Sequence, residues 1–218
     1  FLYVFDRTNG KPIWPIVEKP VPKGDVPGEW YSPTQPIPSK PPAYDQQGVS
    51  EKDLIDFTPE LHAEALELAK NYRMGPLFTP PSVWSDTGTW GTLVCPNATG
   101  GANWPGGAFD PDSHILYIYS KTEADIGGTI PNANKEKSDF DYVYSRGTPP
   151  PGTKGTPRGK FKPGQLTVDG LPLLRPPWGR ITAIDLSKGE FAWQIAHGET
   201  PDEVKNHPAL KGLTIPRT

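Results

Sequence analysis

The sequence FLYVFDRTNGKPIW at residues 1–14 has a spacing of key residues that is repeated in RITAIDLSKGEFAW at residues 180–193. The positions shared by the two copies are Val4 and Ala183, Asp6 and Asp185, Gly10 and Gly189, and Trp14 and Trp193. Each copy indicates a strand, a tight turn and a returning strand, because the aspartate can bond turn amides and the glycine supplies positive φ. The tryptophan then offers a flat surface for burial against a neighbouring sheet. Repeated units of this kind are typical of β-propellers.

The composition excludes several classes of function. With 22 basic and 25 acidic side chains the formal charge is −3, which gives no reason to expect binding to nucleic acid or to an anionic membrane surface. No apolar run approaches the roughly 18 residues of a membrane-spanning helix. The single cysteine excludes an internal disulfide framework, and Cys95 is expected to be buried and inert rather than reactive.

Strand-like and loop-like segments alternate within one predicted domain, residues 1–218. The strand-like segments are a hairpin at 1–19, a middle blade at 91–121, and a last hairpin with its tail at 177–218. The loop-like segments are a proline-rich stretch at 20–90, which carries a helical insertion at 50–74, and a long loop at 122–176. Because a propeller blade takes about 40–45 residues, the sequence predicts an all-β partial propeller in which about three blades are represented.

The helical insertion has two start signals. Ser50 with Asp53 predicts one N-cap, and Thr58 followed by Pro59 at the first helical position predicts another. Apolar residues then recur at helical spacing, at Leu61, Ala65, Leu68, Ala69 and Tyr72. This stripe indicates a packing role rather than a catalytic one.

The segment with the most functional character is GGANWPGG at residues 100–107. Glycines such as Gly101 let the backbone approach a flat ligand, Asn103 offers both a hydrogen-bond donor and an acceptor, and Trp104 offers a stacking surface. Trp104 has a second interpretation, as one more tryptophan that packs a blade. The segment matches neither the dinucleotide-binding glycine motif nor the P-loop, so no phosphate site is predicted.

Two weaker patterns do not predict a site. The long loop has a basic bias, at Lys154, Arg158, Lys160 and Lys162, which is typical of a solvated surface. The four histidines are not paired at metal-ligand spacing, so structural or surface roles are expected for His62, His114, His197 and His207.

Five segments, in order along the chain, resemble the quinoprotein dehydrogenases, enzymes that oxidise alcohols and sugars with pyrroloquinoline quinone (PQQ). They are FLYVFDRTNGKPIWPI at residues 1–16, PGEWYSPTQP at 27–36, GPLFTPPS at 75–82, the stretch 100–119, and PWGRITAID at 177–185. The repeated spacing is similar to the tryptophan-docking motif of that family. The second and third segments are similar to its branch of membrane-type glucose and polyol dehydrogenases.

The resemblance implies a fold and a set of cofactor contacts. The fold is a piece of an eight-bladed propeller in which Gly101, Asn103 and Trp104 contact PQQ. Trp178 is implied either to reach the same cofactor cavity or to dock against the next blade. The tryptophans of the two repeats are assigned to structure.

The resemblance also implies parts of an enzyme that these residues do not carry. In the family an aspartate is the general base for hydride transfer to PQQ, acidic and amide oxygens bind Ca²⁺, and a lysine bonds the cofactor. All three are expected upstream of Phe1, so the chain looks like an internal-to-C-terminal fragment; a processed mature protein is the alternative. We expect residues 1–218 to be inactive until the remaining blades or a partner chain complete the ring.

The implied reaction oxidises a sugar, polyol or alcohol and passes electrons to a respiratory quinone or another acceptor. The implied location is the periplasm, with any attachment to the inner membrane made through a segment outside this chain. A different class of function stays open, in which the chain is a non-catalytic propeller-type interaction or scaffold module. The missing catalytic residues favour that alternative, whereas Gly101, Asn103 and Trp104 do not. A carbohydrate-binding propeller is a third hypothesis.

Overall fold

A computed structural model describes residues 1–102 and 106–218. Within this part of the chain there are fourteen strands, two α-helices and two 3-10 turns. The first seven strands are β1 (Ile16–Pro20), β2 (Thr34–Pro38), β3 (Gly48–Val49), β4 (Gly75–Pro76), β5 (Ser82–Val83), β6 (Thr92–Val94) and β7 (Gly107–Asp110). The other seven are β8 (Ile115–Lys121), β9 (Asp125–Pro131), β10 (Tyr142–Ser145), β11 (Thr167–Val168), β12 (Leu171–Pro172), β13 (Gly179–Asp185) and β14 (Glu190–Ala196). The helices are α1 (Pro59–Ala69) and α2 (Asp202–Lys205), and the 3-10 turns are Glu51–Asp53 and Pro208–Leu210.

The largest antiparallel sheet has four strands, in the order β7-β8-β13-β14. Its centre is β13, which pairs with β8 from Gly179 opposite Lys121 to Asp185 opposite Ile115, and with β14 on its other side. This is the strand order of one propeller blade. The prediction assigned β7–β8 and β13–β14 to different blades, and the structure differs because residues 122–178 are inserted between the second and third strands of a single sheet.

A second sheet combines strands from three predicted segments: β5 from the proline-rich stretch, β6 from the predicted middle blade, and β9 and β10 from the predicted long loop. β9 pairs with β10 and β6 in antiparallel fashion and with β5 in parallel fashion. β6 was predicted to join β7 and β8, and it joins β9 instead. The glycines of β9 look loop-like in sequence, but a Cβ on Gly128 would lie 3.1 Å from the carbonyl oxygen of Ser145. Glycine at this position therefore permits close packing of two backbones.

The first hairpin is shorter than predicted. Phe5 and Pro12 form an isolated bridge, and the amide of Ile13 donates to the carbonyl of Val4 at 2.9 Å. β1 then pairs with β2, which lies in the proline-rich stretch. Prolines are tolerated in β2 because both strands of a two-stranded sheet are edge strands.

The helical insertion begins where the sequence predicts. Thr58 Oγ1 accepts a hydrogen bond from the amide of Leu61 at 3.2 Å, and Pro59 occupies the first helical position. The Asp53 carboxylate accepts from the Ser50 amide at 2.9 Å, which closes the preceding 3-10 turn. α1 ends at Ala69, earlier than the predicted bound of residue 74, so Tyr72 follows the helix rather than lying on it. The stripe residues within α1 are buried, and Tyr72 is also buried, which agrees with the predicted packing role.

The main hydrophobic core lies outside the β7-β8-β13-β14 sheet, in residues 49–95 and in the insertion at 122–178, with Val204 and Leu210 added from the segment after β14. Its largest fully buried members, drawn from residues 49–95 and 126–174, include Trp90, Leu54, Ile55, Leu68, Leu93, Ile126, Leu171 and Leu173. Each buried side chain of this size stabilises the fold by about 1.5–3 kcal/mol. The outer strands of the four-stranded sheet are more open, with Phe109 52%, Trp193 42% and Ile195 51% exposed. No helix within the described ranges combines the length and apolar character needed to cross a bilayer.

Candidate functional site

The glycine-rich loop lies between β6 and β7, at the entrance to the first strand of the four-stranded sheet. Gly100 and Gly106 have φ of +81° and +61°, and an added Cβ would meet nothing within 4 Å at either position. At both positions, therefore, the positive φ favours glycine, and crowding around the Cβ position does not. Asn103 and Trp104, the predicted cofactor contacts, lie outside the described residues.

Gly101 is a glycine for a different reason, because it lies directly against a carboxylate. A Cβ added to it would lie 2.4 Å from Asp45 Oδ2 and 3.2 Å from the carbonyl oxygen of Lys121. Its own carbonyl accepts a hydrogen bond from the Lys121 amide at 2.7 Å. The loop is thus held against the end of β8 with no room for a side chain.

Asp45 belongs to a buried polar cluster that sequence reasoning did not find. Its Oδ1 accepts hydrogen bonds from the Gln46 amide at 2.7 Å, from Thr122 Oγ1 at 2.5 Å and from Arg180 Nη1 at 2.8 Å. Arg180 Nη1 also donates to Thr122 Oγ1. The side chains of Asp45 and Arg180 are only 3% and 16% exposed. We call Asp45, Thr122 and Arg180 the Asp45 cluster.

The two oxygens of the Asp45 carboxylate are in different situations. Oδ1 has three donors, whereas Oδ2 is buried and has no hydrogen-bond partner among residues 1–102 and 106–218. Removing one partner of a buried ion pair costs on the order of 3–5 kcal/mol, because the other charge is left without compensation. Loss of either side chain would therefore disturb the contact between the ends of β8 and β13 and the segment that carries Asp45.

Trp178 is connected to the same cluster through the backbone. Its carbonyl accepts from the Thr122 amide at 2.8 Å, and its indole Nε1 donates to the Leu174 carbonyl at 2.9 Å. The ring packs against the hydrophobic core and also lines a cavity of about 520 Å³ together with Lys121 and Thr122. Because its N–H is already bonded, the indole can offer a ligand only its face or edge.

A second cavity, of about 630 Å³, opens beside Asp45 and Arg180. Its wall carries charges of both signs, from Asp45, Asp53, Asp56, Arg175 and Arg180. The Asp45 cluster therefore has one member, Thr122, on the first cavity and two members on the second. A ligand in the second cavity would lie beside the buried ion pair, and a ligand in the first would lie beside Thr122, which is hydrogen-bonded to both members of that pair.

The histidines make structural contacts. His62 Nδ1 lies 3.0 Å from the Ile55 carbonyl, His114 Nδ1 lies 3.0 Å from Ser187 Oγ, His207 Nε2 lies 2.8 Å from the Asp169 carbonyl, and His197 packs edge-on against Tyr119. In the part of the chain that the structure describes, no group of three or more His, Cys, Asp or Glu side chains could hold a metal ion. Cys95 is 2% exposed, as predicted, and burial raises the pKa of its thiol to about 12.

Arg158 departs from the prediction of a solvated basic surface. It donates to Asn71 Oδ1 at 3.1 Å and to the Asp86 carbonyl at 2.9 Å, and its guanidinium lies 4.9 Å from the centre of the Trp90 ring. It therefore fixes the long insertion to the core.

The signal for the Asp45 cluster is weak in sequence. Arg180 is a charged residue at the start of a strand whose other residues are mostly apolar, and that position suggests a buried partner. Asp45 lies in a proline-rich stretch with no periodic pattern, and Thr122 follows a strand and belongs to no recognisable motif. The sequence separations of 77 and 135 residues from Asp45 to Thr122 and Arg180 conceal the pairing.

Comparisons with known proteins extend over nearly the whole chain. The family model of the β-propeller domain of PQQ-dependent glucose, ethanol and alcohol dehydrogenases matches residues 1–217. The chain is 32% identical over 206 residues to a quinate/shikimate dehydrogenase (quinone) of Acinetobacter baylyi, covering 92% of this chain and 24% of that protein. It is 30% identical over 219 residues to quinoprotein glucose dehydrogenase A of Acinetobacter calcoaceticus, covering 98% of this chain and 26% of that protein.

A glycerol dehydrogenase large subunit of Gluconobacter oxydans is 32% identical over 209 residues, covering 88% of this chain and 27% of that subunit. The chain therefore spans about a quarter of the length of the curated relatives that it matches.

Proposed function

Because the chain belongs to the family of PQQ-dependent dehydrogenase β-propeller domains, we propose that it forms one wall of the PQQ site in an enzyme that oxidises a hydroxyl-bearing carbon. The named substrates of the relatives are quinate or shikimate, glucose and glycerol, which all carry such a carbon. A sugar, polyol or alcohol is the substrate class that we propose for the intact protein.

The described residues are compatible with a flat cofactor at this site. Gly101 lets the loop lie close to the sheet, and Trp178 presents an indole on a cavity. Lys121 lines the same cavity, where its ammonium group pairs with Glu123 at 2.7 Å. Asn103 and Trp104 are the residues that we propose for direct contact, Asn103 by hydrogen bonding and Trp104 by stacking. PQQ, when bound, supplies the quinone that accepts hydride from the substrate.

The part of this chain in the reaction is to bind and orient. The loop at residues 100–107 would limit where the cofactor lies, and Trp178 would cover one side of it. We propose that the general base and the Ca²⁺ ligands come from other segments of the intact enzyme, and that a respiratory quinone in the membrane receives the electrons from the periplasmic side. An eight-bladed ring, to which the β7-β8-β13-β14 sheet contributes one blade, remains our prediction.

The observation that carries the proposal is the family match over residues 1–217, in a chain whose predicted cofactor loop lies on a buried ion pair. The test is a dye-linked oxidation assay of the intact protein, stripped of cofactor and then supplied with PQQ and Ca²⁺. We expect PQQ-dependent oxidation of at least one sugar, polyol or alcohol.

An Asn103→Ala variant tests the role of this chain in that assay. We expect the PQQ concentration for half-maximal activity to rise by about 10- to 100-fold, since a hydrogen bond to a charged group contributes about 1.5–3 kcal/mol. Asn132→Ala, in the long insertion, is the control and should leave that concentration unchanged. Absence of PQQ-dependent oxidation in the wild-type protein would instead favour a scaffold module.

A further inference from the structure

The close approach between Gly101 and Asp45 gives the loop a buried support. We propose that Asp45 is a positioning residue, whose carboxylate sets the position of the loop carrying Gly101 and thereby the geometry of the PQQ site. This inference rests on the proposed function, but its structural half can be tested without the cofactor.

The glycines of the loop show that contact with Asp45 is specific to one position. Gly100 and Gly106 have open space where a Cβ would be, and both have positive φ. Gly101 does not have positive φ, and its missing side chain is explained by the carboxylate 2.4 Å from the Cβ position. Any residue larger than glycine would have to displace either the loop or Asp45.

The Asp45 cluster also ties the loop to the other described residue of the predicted site. Asp45 Oδ1 accepts from Thr122, and the Thr122 amide donates to the Trp178 carbonyl. Arg180, two residues beyond Trp178, donates to the same oxygen of Asp45. A shift of the Asp45 carboxylate would therefore reach Gly101 on one side and Trp178 on the other.

Oδ2 of Asp45 has no hydrogen-bond donor among residues 1–102 and 106–218, and this argues against a purely stabilising role for the carboxylate. A buried carboxylate oxygen without a donor is costly, and apolar residues of similar volume often replace buried ion pairs at no loss of stability. Oδ2 has no partner within the described ranges, and it is the atom nearest to the position of a Cβ on Gly101. The unsatisfied oxygen thus faces the loop rather than the interior of the cluster.

Two variants of the intact protein test the role of Asp45. Asp45→Asn keeps the volume but places an amide where a carboxylate oxygen lies, and Gly101→Ala pushes a methyl group toward Oδ2. We expect each to weaken PQQ binding by about tenfold, a coupling typical of residues in direct contact. Gly127→Ala is the matched control, because its Cβ would meet neighbours only at ordinary contact distances of 3.4 Å or more.

A double variant shows whether Asp45 and Gly101 affect PQQ binding through their mutual contact or independently of each other. Asp45→Ser is measured alone and together with Gly101→Ala. If the two residues act through each other, the double variant should bind PQQ no more weakly than Gly101→Ala alone, because the smaller serine leaves room for the methyl group. If they act independently, the losses of the two single variants should multiply. PQQ dissociation constants come from quenching of tryptophan fluorescence, on samples whose folding is checked by near-ultraviolet circular dichroism.

Hydrogen exchange in the cofactor-free protein supplies a readout that does not need PQQ. The Lys121 amide, which donates to the Gly101 carbonyl, should exchange about tenfold faster in Asp45→Asn, while amides of α1 keep their wild-type rates. Unchanged Lys121 exchange with an unchanged PQQ dissociation constant, in folded Asp45→Asn and Gly101→Ala, would overturn the inference. Failure of the wild-type protein to bind PQQ would defeat the proposed function, and the exchange data would still decide whether Asp45 holds the loop.

Discussion

The two copies of the repeated spacing have the same local turn but different surroundings. Asp6 accepts from the Thr8 amide at 2.8 Å, and Asp185 accepts from the Ser187 amide at 2.8 Å, so each turn is closed in the same way. Trp14, however, packs on Gly189 of the other copy, whereas Trp193 is 42% exposed. The neighbour of Trp193 is Tyr117 of its own sheet, with ring centres 5.8 Å apart.

This difference shows that the repeated spacing specifies the turn but not the packing of the tryptophan. The aspartate and glycine determine the turn locally, whereas the tryptophan needs the glycine of another copy to pack against. A Cβ on Gly189 would lie 2.8 Å from the Trp14 ring, and its φ is +68°. Lys40 adds a second connection near the contact between Trp14 and Gly189, because its ammonium group donates to the Lys188 carbonyl at 3.1 Å. The motif is therefore a connection between units rather than a feature of one hairpin.

The largest expected effect comes from truncating the two tryptophans. We expect Trp14→Ala to lower the free energy of unfolding by about 2–3 kcal/mol, because it removes a partly buried indole from a packed joint. Trp193→Ala should cost about 1 kcal/mol or less, the contribution of one aromatic pair. Urea unfolding of the 218-residue chain and its variants measures both values. Equal losses in the two variants would contradict the difference between the copies.

The same two variants in the intact protein show whether Trp193 gains a packing partner outside this chain. If a further unit packs on β14, Trp193→Ala should become about as costly as Trp14→Ala, because the indole then has a partner surface. A cost that stays small in the intact protein would show that Trp193 keeps its exposed position.

We expect Gly189→Ala to lower the free energy of unfolding by less than Trp14→Ala does. A non-glycine residue at φ of +68° costs about 1–2 kcal/mol, and the methyl group would also push against Trp14. Gly10→Ala has a similar φ of +73° but nothing within 4 Å of its Cβ position, so it is the matched control for conformation alone. Urea unfolding should show a greater loss for Gly189→Ala, and equal losses would mean that the contact with Trp14 contributes nothing.

The smallest expected effect is a difference in pH and salt dependence between the two turns. Hydrogen bonds from Thr8 lower the pKa of the Asp6 carboxyl, and a hydrogen bond from the Lys188 ammonium is the main cause of the lowered pKa of Asp185. Because each folded pKa lies below the unfolded value of about 3.9, the stabilisation is present above pH ~4 and is lost as the pH falls further.

Salt should separate the two turns, since it screens the ion pair between Asp185 and the exposed Lys188 more than it screens the neutral donors around Asp6. We expect Asp185→Asn to reduce the acid sensitivity of the unfolding midpoint mainly at low salt, and Asp6→Asn to reduce it at both low and high salt. Urea midpoints from pH 6 to pH 2 would check this, and identical salt dependence would refute it.

Local chemistry predicts the parts of this molecule that depend on a few adjacent residues. The turns at Asp6 and Asp185 and the helix start at Thr58 follow from single side chains and short spacings. The family resemblance adds the loop at residues 100–107 and the order of the segments, and the match over residues 1–217 confirms the family.

Pairing between distant strands could not be predicted in the same way. The partnership of β8 with β13 depends on a long insertion folding away from the sheet, and β9 was hidden because Gly127 and Gly128 look like loop residues. Asp45 was missed because nothing near it in sequence signals its buried partners, which lie far along the chain. Such pairings depend on tertiary packing, which a single sequence does not reveal.

The most direct test is equilibrium binding of PQQ to the cofactor-free intact protein, with wild type and Asn103→Ala compared side by side. We expect saturable quenching of tryptophan fluorescence by PQQ in the wild type, and a dissociation constant raised by about tenfold or more in the variant. Saturable binding that Asn103→Ala leaves unchanged, or no saturable binding at all, would contradict the claim that this chain forms a wall of the cofactor site.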